Sequence, residues 1–332
     1  MAYDGKILAR ARAVIDEKRR NSDNEREKRE AQAYKQIPEL KDIDVSLARL
    51  MADTASKALS GGYMKSALDS VRSECEAFSK RRAELLKKSG FPEDYTDMKY
   101  DCSRCHDSGY ILGSPCKCLE DAYKSESVRE LSYMLDIRGQ CFERFELDYY
   151  DNSSLRSGDS PRCIMSATHD FCKKYASDFK DNSPNLLFRG STGLGKTFLS
   201  ACIAKVVSEK GFSVVYDTAV SVFDSFETQK FDRGENSIEA SSKVRRYLNC
   251  GLLILDDLGT EMTTSFTQSA LYSLINSRLI SGLKTVISTN LTAEETRRRY
   301  SAQIVSRLEG EYICLDFVGR DIRAIKREQG LN

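Results

Sequence analysis

Residues 190–197 constrain the fold of this chain more than any other segment. They read Gly-Ser-Thr-Gly-Leu-Gly-Lys-Thr, and they lie between an apolar run at 185–189 and a helical pattern that begins at Phe198. This is the G-x-x-x-x-G-K-[ST] phosphate-binding loop in the strand-to-helix setting that gives the pattern its meaning. The segment therefore predicts an α/β fold with a site for a nucleoside triphosphate.

All eight residues of the loop are predicted to bind the nucleotide. Its glycines let the backbone turn tightly, so that N–H groups and the N-terminus of the next helix point at the phosphates. We expect Lys196 to meet the β- and γ-phosphate oxygens and the Thr197 hydroxyl to bind Mg²⁺. The predicted nucleotide ligands are Gly190, Ser191, Thr192, Gly193, Leu194, Gly195, Lys196 and Thr197.

A second motif consists of a fully apolar strand at 252–255 that ends in two carboxylates, Asp256 and Asp257. In a parallel sheet the carboxyl ends of the strands form the ligand edge, so this pair should lie beside the phosphate loop. Asp256 is then expected on the Mg²⁺ side, acting directly or through water, and Asp257 is placed to orient the attacking water.

Three polar residues further along the chain are candidates for contact with the γ-phosphate. Asn290 follows a predicted strand at 285–288, and its amide can donate to oxygen and accept from water at once. An ordinary strand-end turn is the alternative. Arg307 and Arg323 could stabilise the charge of phosphoryl transfer, including from a neighbouring subunit. By spacing alone, either arginine is instead typical of a solvated surface residue.

The first part of the chain is charged, almost free of Pro and Gly, and carries apolar residues at helical intervals. This pattern predicts three helices, broken near Ile37-Pro38 and near Gly61-Gly62. Residues 16–30 have mixed charges and few apolar residues, so they are either a solvated helix extension or a flexible segment. The apolar stripes either pack only on each other or also dock a partner.

These shifts in pattern divide the chain into three parts. A helical, partner-binding domain is expected at 1–98, followed by a metal-binding insert and linker helix at 99–138. From 139 to 332 strands alternate with helices, which predicts a parallel sheet covered on both faces.

Four of the eleven cysteines form a cluster, Cys102, Cys105, Cys116 and Cys118. Two close pairs joined by a turn-forming loop can place four thiolates around one Zn²⁺. Four thiolates leave no open position for water, so the predicted zinc is structural. His106 could replace one ligand, and a redox pair or unbound thiols are alternatives. The other seven cysteines are interpreted as reduced, buried, small hydrophobic residues.

The overall composition excludes few classes of partner. With 51 basic and 50 acidic residues the net charge is +1, which argues neither for nor against a polyanionic partner. No stretch approaches the roughly 18 apolar residues of a membrane span, and the first residues lack the apolar core of a secretory signal. We therefore expect a cytoplasmic protein.

Two basic runs contain an aromatic residue, Thr296-Arg-Arg-Arg-Tyr300 and Lys243-Val-Arg-Arg-Tyr247. Basic residues beside an aromatic ring suit single-stranded DNA, through phosphate pairing and base stacking. The alternative is that both runs are solvated helix faces.

Taken in order, the motifs of the second half of the chain resemble those of the AAA+ ATPases in the DnaC/DnaI helicase-loader group, which also includes the transposition helper IstB. The motifs are the loop at 190–197, Asp256-Asp257, Ser288-Thr-Asn290, Ser306-Arg-Leu308 and Asp321-Ile-Arg323. The resemblance covers about residues 140–328. It implies that Asn290 is the sensor-1 residue, Arg307 the trans-acting arginine finger and Arg323 the sensor-2 arginine. It also implies ATP-dependent assembly into a ring or spiral.

Two departures from the AAA+ pattern affect what the resemblance implies. Asp257 stands where most AAA+ proteins have Glu, although loaders commonly have Asp here, and its shorter reach suggests slow turnover. The chain stops soon after Arg323, which implies a short C-terminal lid. Loaders of the DnaI type carry a zinc-binding element between a helicase-binding domain and the ATPase, in agreement with the cysteine cluster. Slow hydrolysis with a short lid favours a switch.

The leading hypothesis is an ATP-switched helicase loader for DNA replication. Its N-terminal helices would bind the replicative helicase, and its ATPase domains would assemble on the helicase ring and help single-stranded DNA to enter. The alternatives are an IstB-like transposition helper or phage replication ATPase, a phosphate-loop kinase acting on a small molecule, and a zinc-dependent nucleic-acid adaptor that only binds nucleotide.

Overall fold

The computed structural model describes residues 3–59, 65–134, 140–153 and 158–330. The chain forms two compact units, one comprising Met1–Ala11 with Glu120–Asn332 and the other Arg12–Leu119. Among the described residues no helix combines the length and the apolar character that crossing a bilayer would need.

Helices dominate the N-terminal part of the chain. They are α1 (Gly5–Gln36), α2 (Pro38–Leu59) and α3 (Lys65–Lys88). The predicted break at Ile37-Pro38 is present, because a proline is well tolerated in the first turn of a helix and poorly tolerated in its interior. Residues 16–30 continue α1, so the helix-extension interpretation is the correct one. The predicted break at Gly61-Gly62 lies outside the described residues.

The core of the smaller unit is a group of buried side chains from these helices, with Tyr34, Phe78, Phe91 and Tyr95 packed around it. Its members are Ala33, Ile37, Leu40, Ile43, Leu85 and Leu86. The same unit contains a short antiparallel hairpin of β1 (Tyr110–Ile111) and β2 (Ser114–Pro115). The linker helix α4 (Lys117–Met134) follows this hairpin.

The larger unit is built on a five-stranded parallel sheet, as the alternation of strands and helices predicts. The strands are β3 (Asn185–Arg189), β4 (Val214–Thr218), β5 (Leu252–Leu258), β6 (Lys284–Thr289) and β7 (Tyr312–Asp316). Their spatial order is β4-β5-β6-β3-β7, and each neighbouring pair is parallel. The strand that precedes the phosphate loop therefore lies inside the sheet, beside the strand that precedes Asn290.

Helices cover both faces of this sheet. They are α5 (Pro161–Ser177), α6 (Lys196–Glu209), α7 (Ala219–Phe231), α8 (Glu235–Asn249), α9 (Ser265–Ile280), α10 (Ala293–Arg299), α11 (Ala302–Glu311) and α12 (Ile322–Glu328). Successive strand residues point to opposite faces. Leu186 and Phe188 accordingly join a core that includes Leu199 of α6, whereas Leu187 joins the core that includes Leu271 of α9.

Two boundaries and one strand differ from the sequence prediction. The helical pattern predicts a helix around 168–179, but α5 begins at Pro161. The Ser160 hydroxyl caps it by accepting from the Cys163 N–H, and proline occupies its first turn. β5 runs past the carboxylate pair to Leu258, with a register shift against β6. β7 was missed, since it follows α11 directly and offers no turn signal between helix and strand.

Candidate functional site

The phosphate loop connects β3 to α6 and takes the conformation that its glycines permit. Gly193 has φ +77° and Gly195, which caps α6, has φ +90°. A Cβ atom on Gly193 would lie 1.9 Å from the Asp321 carboxylate, so no side chain fits there. The Gly193 carbonyl also accepts the Ile322 N–H at 3.0 Å. The loop thus supports the start of α12.

Lys196 is buried at the start of α6, where the loop ends. Its ammonium donates to the carbonyls of Gly190 and Ser191 and to Asn290 Oδ1, each at 2.7 Å. Burial lowers the pKa of Lys196, and the neighbouring Asp257 and Asp256 charges oppose that shift. The cation predicted to meet phosphate oxygens is therefore in direct contact with the predicted sensor residue, across the β3–β6 pair.

Asp256 is buried beneath the loop and accepts hydrogen bonds from three hydroxyl groups. Thr197 Oγ1 lies 3.1 Å and the Tyr216 hydroxyl 2.5 Å from Oδ2, while the Ser288 hydroxyl donates to Oδ1. A hydroxyl that gives its proton to Asp256 keeps its lone pairs for a cation. This all-oxygen donor set fits Mg²⁺, with Thr197 and Asp256 as the residues that would hold it.

Asp257 has a backbone conformation that non-glycine residues rarely adopt, with φ +55°. Its N–H donates to the Ser288 hydroxyl at 2.9 Å. Partial burial, and then the charge of Asp256, raises the pKa of Asp257. Asp256 lies under the loop, whereas Asp257 lines the cavity above it.

The two predicted arginines have different locations. Arg323 on α12 lines the same cavity as Lys196, Asp257 and Asn290, and its charge contributes to the lowered pKa of Lys196. Arg307 on α11 does not line that cavity. Its guanidinium donates to Asn276 Oδ1 at 3.2 Å and lies 3.8 Å from Glu311. Within one chain, therefore, the structure brings Arg323 but not Arg307 to the loop.

The cavity has a volume of about 320 Å³ and extends beyond the loop into a partly aromatic cleft that the sequence analysis did not identify. Its additional lining residues include Phe145, Tyr149, Phe198, Ile322 and Lys326. The Lys326 ammonium lies 5.1 Å from the centre of the Tyr149 ring. The signal available in the sequence was the aromatic segment at 142–150, which precedes α5. The sequence alone does not show that this segment packs against the phosphate loop. In the fold it does, and the Tyr150 hydroxyl donates to the Leu194 carbonyl at 3.0 Å.

In the smaller unit the four predicted cysteines converge. The sulfur atoms of Cys102, Cys105, Cys116 and Cys118 all lie within 4.8 Å of one another. Tetrahedral Zn–S bonds of about 2.3 Å imply sulfur separations of about 3.8 Å, so the cluster fits a zinc ion. Asp107 supports it by accepting the Cys102 N–H at 2.8 Å.

His106 lies beside this cluster without joining it. Its ring packs on Tyr100, with centroids 4.7 Å apart, and the metal-binding group contains the four thiols. Hydrogen bonds from the backbone of Cys105 and Arg104 lower the pKa of Cys102 to about 7, which favours the thiolate that a metal needs. The arrangement favours four sulfur ligands over the substitution by His106.

The base-stacking role expected of the two basic runs does not fit the structure. Tyr300 and Tyr247 are 6% and 2% exposed. Their hydroxyl groups donate to Glu261 and Asp217, at 2.5 and 2.7 Å. Both rings belong to the core beneath the sheet, so they are unavailable to nucleic-acid bases. The arginines beside them were the misleading signal, because helical spacing places a buried tyrosine next to solvated cations.

Known proteins are similar to this chain over the segment that contains the phosphate loop. Residues 165–306 match the family described as IstB-like ATP binding protein. The replicative helicase loader DnaI of Bacillus subtilis (strain 168) is 25% identical over 189 residues, which are 55% of this chain and 54% of that protein. The uncharacterized protein YdaV of Escherichia coli (strain K12) is 25% identical over 136 residues, 41% of this chain and 53% of that one. The chain thus spans about half the length of these curated relatives.

Among solved structures, the DnaC helicase loader superposes with a TM-score of 0.43 and 19% identity, over 53% of this chain and 98% of that one. The matched region contains the phosphate loop, Asp257 and Asn290, which border the cavity, together with Asp256 beneath the loop. The segment that carries the phosphate loop and the central strands of the sheet, residues 165–306, is therefore similar to the IstB-like ATP-binding family.

Proposed function

We propose that the protein is an ATP-dependent helicase loader for DNA replication. Its helical domain at 1–98 binds the replicative helicase, and its ATPase domain at 139–332 assembles with other copies on single-stranded DNA. The main support for the proposal is that the two predicted arginines lie in different places relative to the nucleotide cavity. Arg323 reaches the nucleotide cavity of its own chain, whereas Arg307 lies away from it and is left to act on a neighbour's nucleotide.

The residues around the cavity have separate roles in this proposal. Lys196 and the loop N–H groups hold the phosphates, and Thr197 with Asp256 holds Mg²⁺, which neutralises phosphate charge when bound. Asp257 orients the attacking water and accepts its proton. Asn290, hydrogen-bonded to Lys196, and Arg323 detect the γ-phosphate. The cleft lined by Phe145, Tyr149 and Ile322 receives the adenine ring.

Slow hydrolysis follows from Asp257. An aspartate is one methylene shorter than the glutamate that most AAA+ proteins place here, so its carboxylate reaches less far towards the attacking water. We propose that binding sets the assembled state and that slow hydrolysis times its release. The seven-residue helix α12, which carries Arg323 to the cavity, would act as the lid of this switch.

Contact with single-stranded DNA is proposed at a different place from the two basic runs. Phe231, at the end of α7, is 64% exposed and its ring contacts Phe266 at the start of α9, with centroids 5.4 Å apart. The Lys230 ammonium lies 5.3 and 5.0 Å from the two ring centres. An exposed ring beside a cation provides base stacking and phosphate pairing together.

The DNA contact is tested by titrating fluorescent oligothymidine onto the ATP-bound protein. Phe231→Ala should weaken binding about tenfold or more, in line with the loss of one stacked base. Tyr272→Ala is a suitable control, since Tyr272 is a half-exposed aromatic residue elsewhere on α9. Equal affinities for wild type and Phe231→Ala would exclude this site.

A zinc ion bound by Cys102, Cys105, Cys116 and Cys118 is proposed as the structural cofactor of the smaller unit. Its support is the convergence of four sulfur atoms in a segment with few apolar side chains to bury. Metal analysis of protein purified without added zinc should give one zinc per chain.

A transposition helper is the second candidate, because the matched family is the IstB-like one. The two candidates differ in the partner of the helical domain. Mixed with the replicative helicase of its own organism, the protein should co-elute in the presence of ATP, and Lys196→Ala should block loading onto closed circular single-stranded DNA. If no complex forms with or without ATP, while a transposase is bound, the loader proposal is wrong.

A further inference from the structure

A buried tyrosine on the strand beside Asp256 contacts this carboxylate directly. Tyr216 lies on β4, is 4% exposed, and donates its hydroxyl to Asp256 Oδ2 at 2.5 Å. The strand register explains the contact: Tyr216 pairs with Ile254, and Asp256 is two residues further along the same face. Diagonal neighbours across adjacent strands are within reach of long aromatic side chains.

Both oxygens of Asp256 are fixed by hydroxyl groups from neighbouring segments. Ser288 on β6 donates to Oδ1, and Tyr216 on β4 and Thr197 on α6 both donate to Oδ2. Hydrogen bonds from hydroxyls to a carboxylate are among the strong ones in proteins. The carboxylate is therefore held from both sides of its own strand.

The shared oxygen links the tyrosine to the threonine. Thr197 gives its proton to Oδ2, so the position of Oδ2 decides where the remaining lone pairs of Thr197 point. Tyr216 fixes that oxygen without facing the phosphates, and it is absent from the lining of the nucleotide cavity.

We propose that Tyr216 is a positioning residue for the divalent cation, and that it sets the orientation of Asp256 and, through it, of the Thr197 hydroxyl. The inference rests on the proposed binding of ATP with Mg²⁺. Loss of the Tyr216 hydroxyl should leave the phosphate contacts of Lys196 intact and reduce only the part of nucleotide affinity that the cation provides.

The test uses Tyr216→Phe in the full chain and does not depend on turnover. ATP affinity is measured by isothermal titration calorimetry in MgCl₂ and again in EDTA. In EDTA the variant should bind ATP within about twofold of wild type. The gain in affinity on adding Mg²⁺ should fall about tenfold, the change equivalent to about 1.4 kcal/mol.

Tyr247→Phe is a closely matched control. Tyr247 is also buried and also donates to an aspartate, at 2.7 Å from Asp217 Oδ2. Asp217 follows Tyr216 on β4, but Tyr247 packs in the core on the other face of the sheet. Its loss therefore removes an equivalent hydrogen bond, with no contact to Asp256, and the Mg²⁺-dependent gain should stay at the wild-type value.

The outcomes separate this inference from the proposed function. A wild-type protein without any Mg²⁺-dependent gain would overturn both. A normal gain in wild type that Tyr216→Phe retains in full, or that Tyr247→Phe loses equally, overturns the role of Tyr216 alone. Thermal unfolding checks that both variants fold. Tyr216→Met, which fills the space without a hydroxyl, provides the same comparison should the phenylalanine variant not fold.

Discussion

At the scale of single residues, the contact between Lys196 and Asn290 joins two motifs that are 94 residues apart in the chain. A bound γ-phosphate would compete for the Lys196 ammonium and so free the Asn290 amide to respond to it. We propose that this exchange lets the site distinguish a loop with bound nucleotide from one without it.

Replacing Lys196 by alanine should reduce ATP affinity about 10- to 100-fold, because it removes charge-assisted hydrogen bonds worth about 1.5–3 kcal/mol. Calorimetric titration with ATP measures the effect. Lys205→Ala, on the same helix α6 but outside the cavity lining, is the control and should bind as wild type does. Unchanged affinity in Lys196→Ala would contradict the assignment of the loop.

Replacing Asp257 by asparagine should lower kcat about 100-fold or more, as loss of a general base does, while ATP affinity changes little. Phosphate release under saturating ATP gives the rate. Asp181→Asn, an exposed surface carboxylate, should be neutral. If Asp257→Asn keeps wild-type turnover, the water is oriented by another group.

Turnover should depend on pH through the ionisation of the Asp257 carboxyl group. Its pKa is raised by burial and by Asp256, and only the deprotonated form can accept a proton. Activity should therefore fall as the pH drops through this raised pKa, which places the acidic limb above the value of about 3.9 for an ordinary aspartate. A kcat profile that stays flat down to that value would contradict the role.

The sequence predicted the principal residues of the site because each occupies a fixed offset in a motif. Tyr216 and Ser288 could not be recognised as contacts of Asp256 in this way. Their roles depend on which strands lie beside β5, and strand order is set by packing of the whole sheet. Asp257 was identified, but its left-handed backbone was not, since nothing in the local sequence requires it.

At the scale of elements, the phosphate loop and α12 form one packed unit. Gly193 leaves no room for a side chain beneath Asp321, and its carbonyl accepts the Ile322 N–H. Residues that are 128 positions apart therefore define a single wall of the cavity, and a change in the loop should also disturb the lid.

Gly193→Ala tests this coupling. The positive φ alone should cost about 1–2 kcal/mol, and the clash with Asp321 should add loss of ATP binding. Gly282→Ala is the matched control, because Gly282 has φ +68° with open space around its Cβ position. We expect similar losses of stability by thermal unfolding, but normal ATP affinity only in the control. Normal affinity in Gly193→Ala would show that the lid adjusts.

Zinc removal should unfold the cysteine segment specifically. Four-thiolate sites contribute about 10–16 kcal/mol of apparent binding energy, and the hairpin β1–β2 has only two residues per strand. Cys102→Ser or a chelator should release zinc and expose residues 99–119 to proteases. Cys163→Ser should retain the metal. Cys163 lies elsewhere in the chain and is exposed, so the prediction that all seven other cysteines are buried is wrong at this position. Full protection of the segment after zinc release would contradict a structural role.

Most elements could be predicted because their periodicity is strong, while boundaries and β7 could not. Tyr312 follows α11 without a loop, and Ile313 and Cys314 are exposed, so the strand lacks the apolar alternation typical of a buried one. It is a strand because β3 offers a free edge, and the local sequence does not contain that information.

At the scale of the whole molecule, the first residues of the chain belong with the ATPase part in the larger compact unit. The Asp4 carboxylate accepts from Arg246 at 3.0 Å, and its N–H donates to the Tyr123 hydroxyl at 2.9 Å. The sequence boundaries at 98 and 138 remain predictions, since an uninterrupted helical pattern gives no sign that its first turns contact a distant helix.

Assembly between copies should be visible in the rate of hydrolysis. Because Arg307 is remote from the cavity of its own chain, specific activity should rise with protein concentration, and Arg307→Ala should abolish that rise. Mixing Arg307→Ala with Lys196→Ala should restore part of the activity, since the second variant still supplies an arginine to the intact loop of the first.

Arg298→Ala is the control for this experiment. Arg298 lies on the neighbouring helix α10, and its side chain is 80% exposed, so the variant should behave as wild type. Activity that is independent of concentration, or a mixture no more active than the sum of its parts, would show that Arg307 does not act between subunits.

The position of β7 has a consequence for how the protein is made. Because β7 and α12 complete the surroundings of a loop that is translated more than a hundred residues earlier, a nascent chain on the ribosome has the loop without its neighbouring strand or Arg323. The cavity wall that α12 provides is therefore incomplete on the nascent chain until residues 312–323 have emerged.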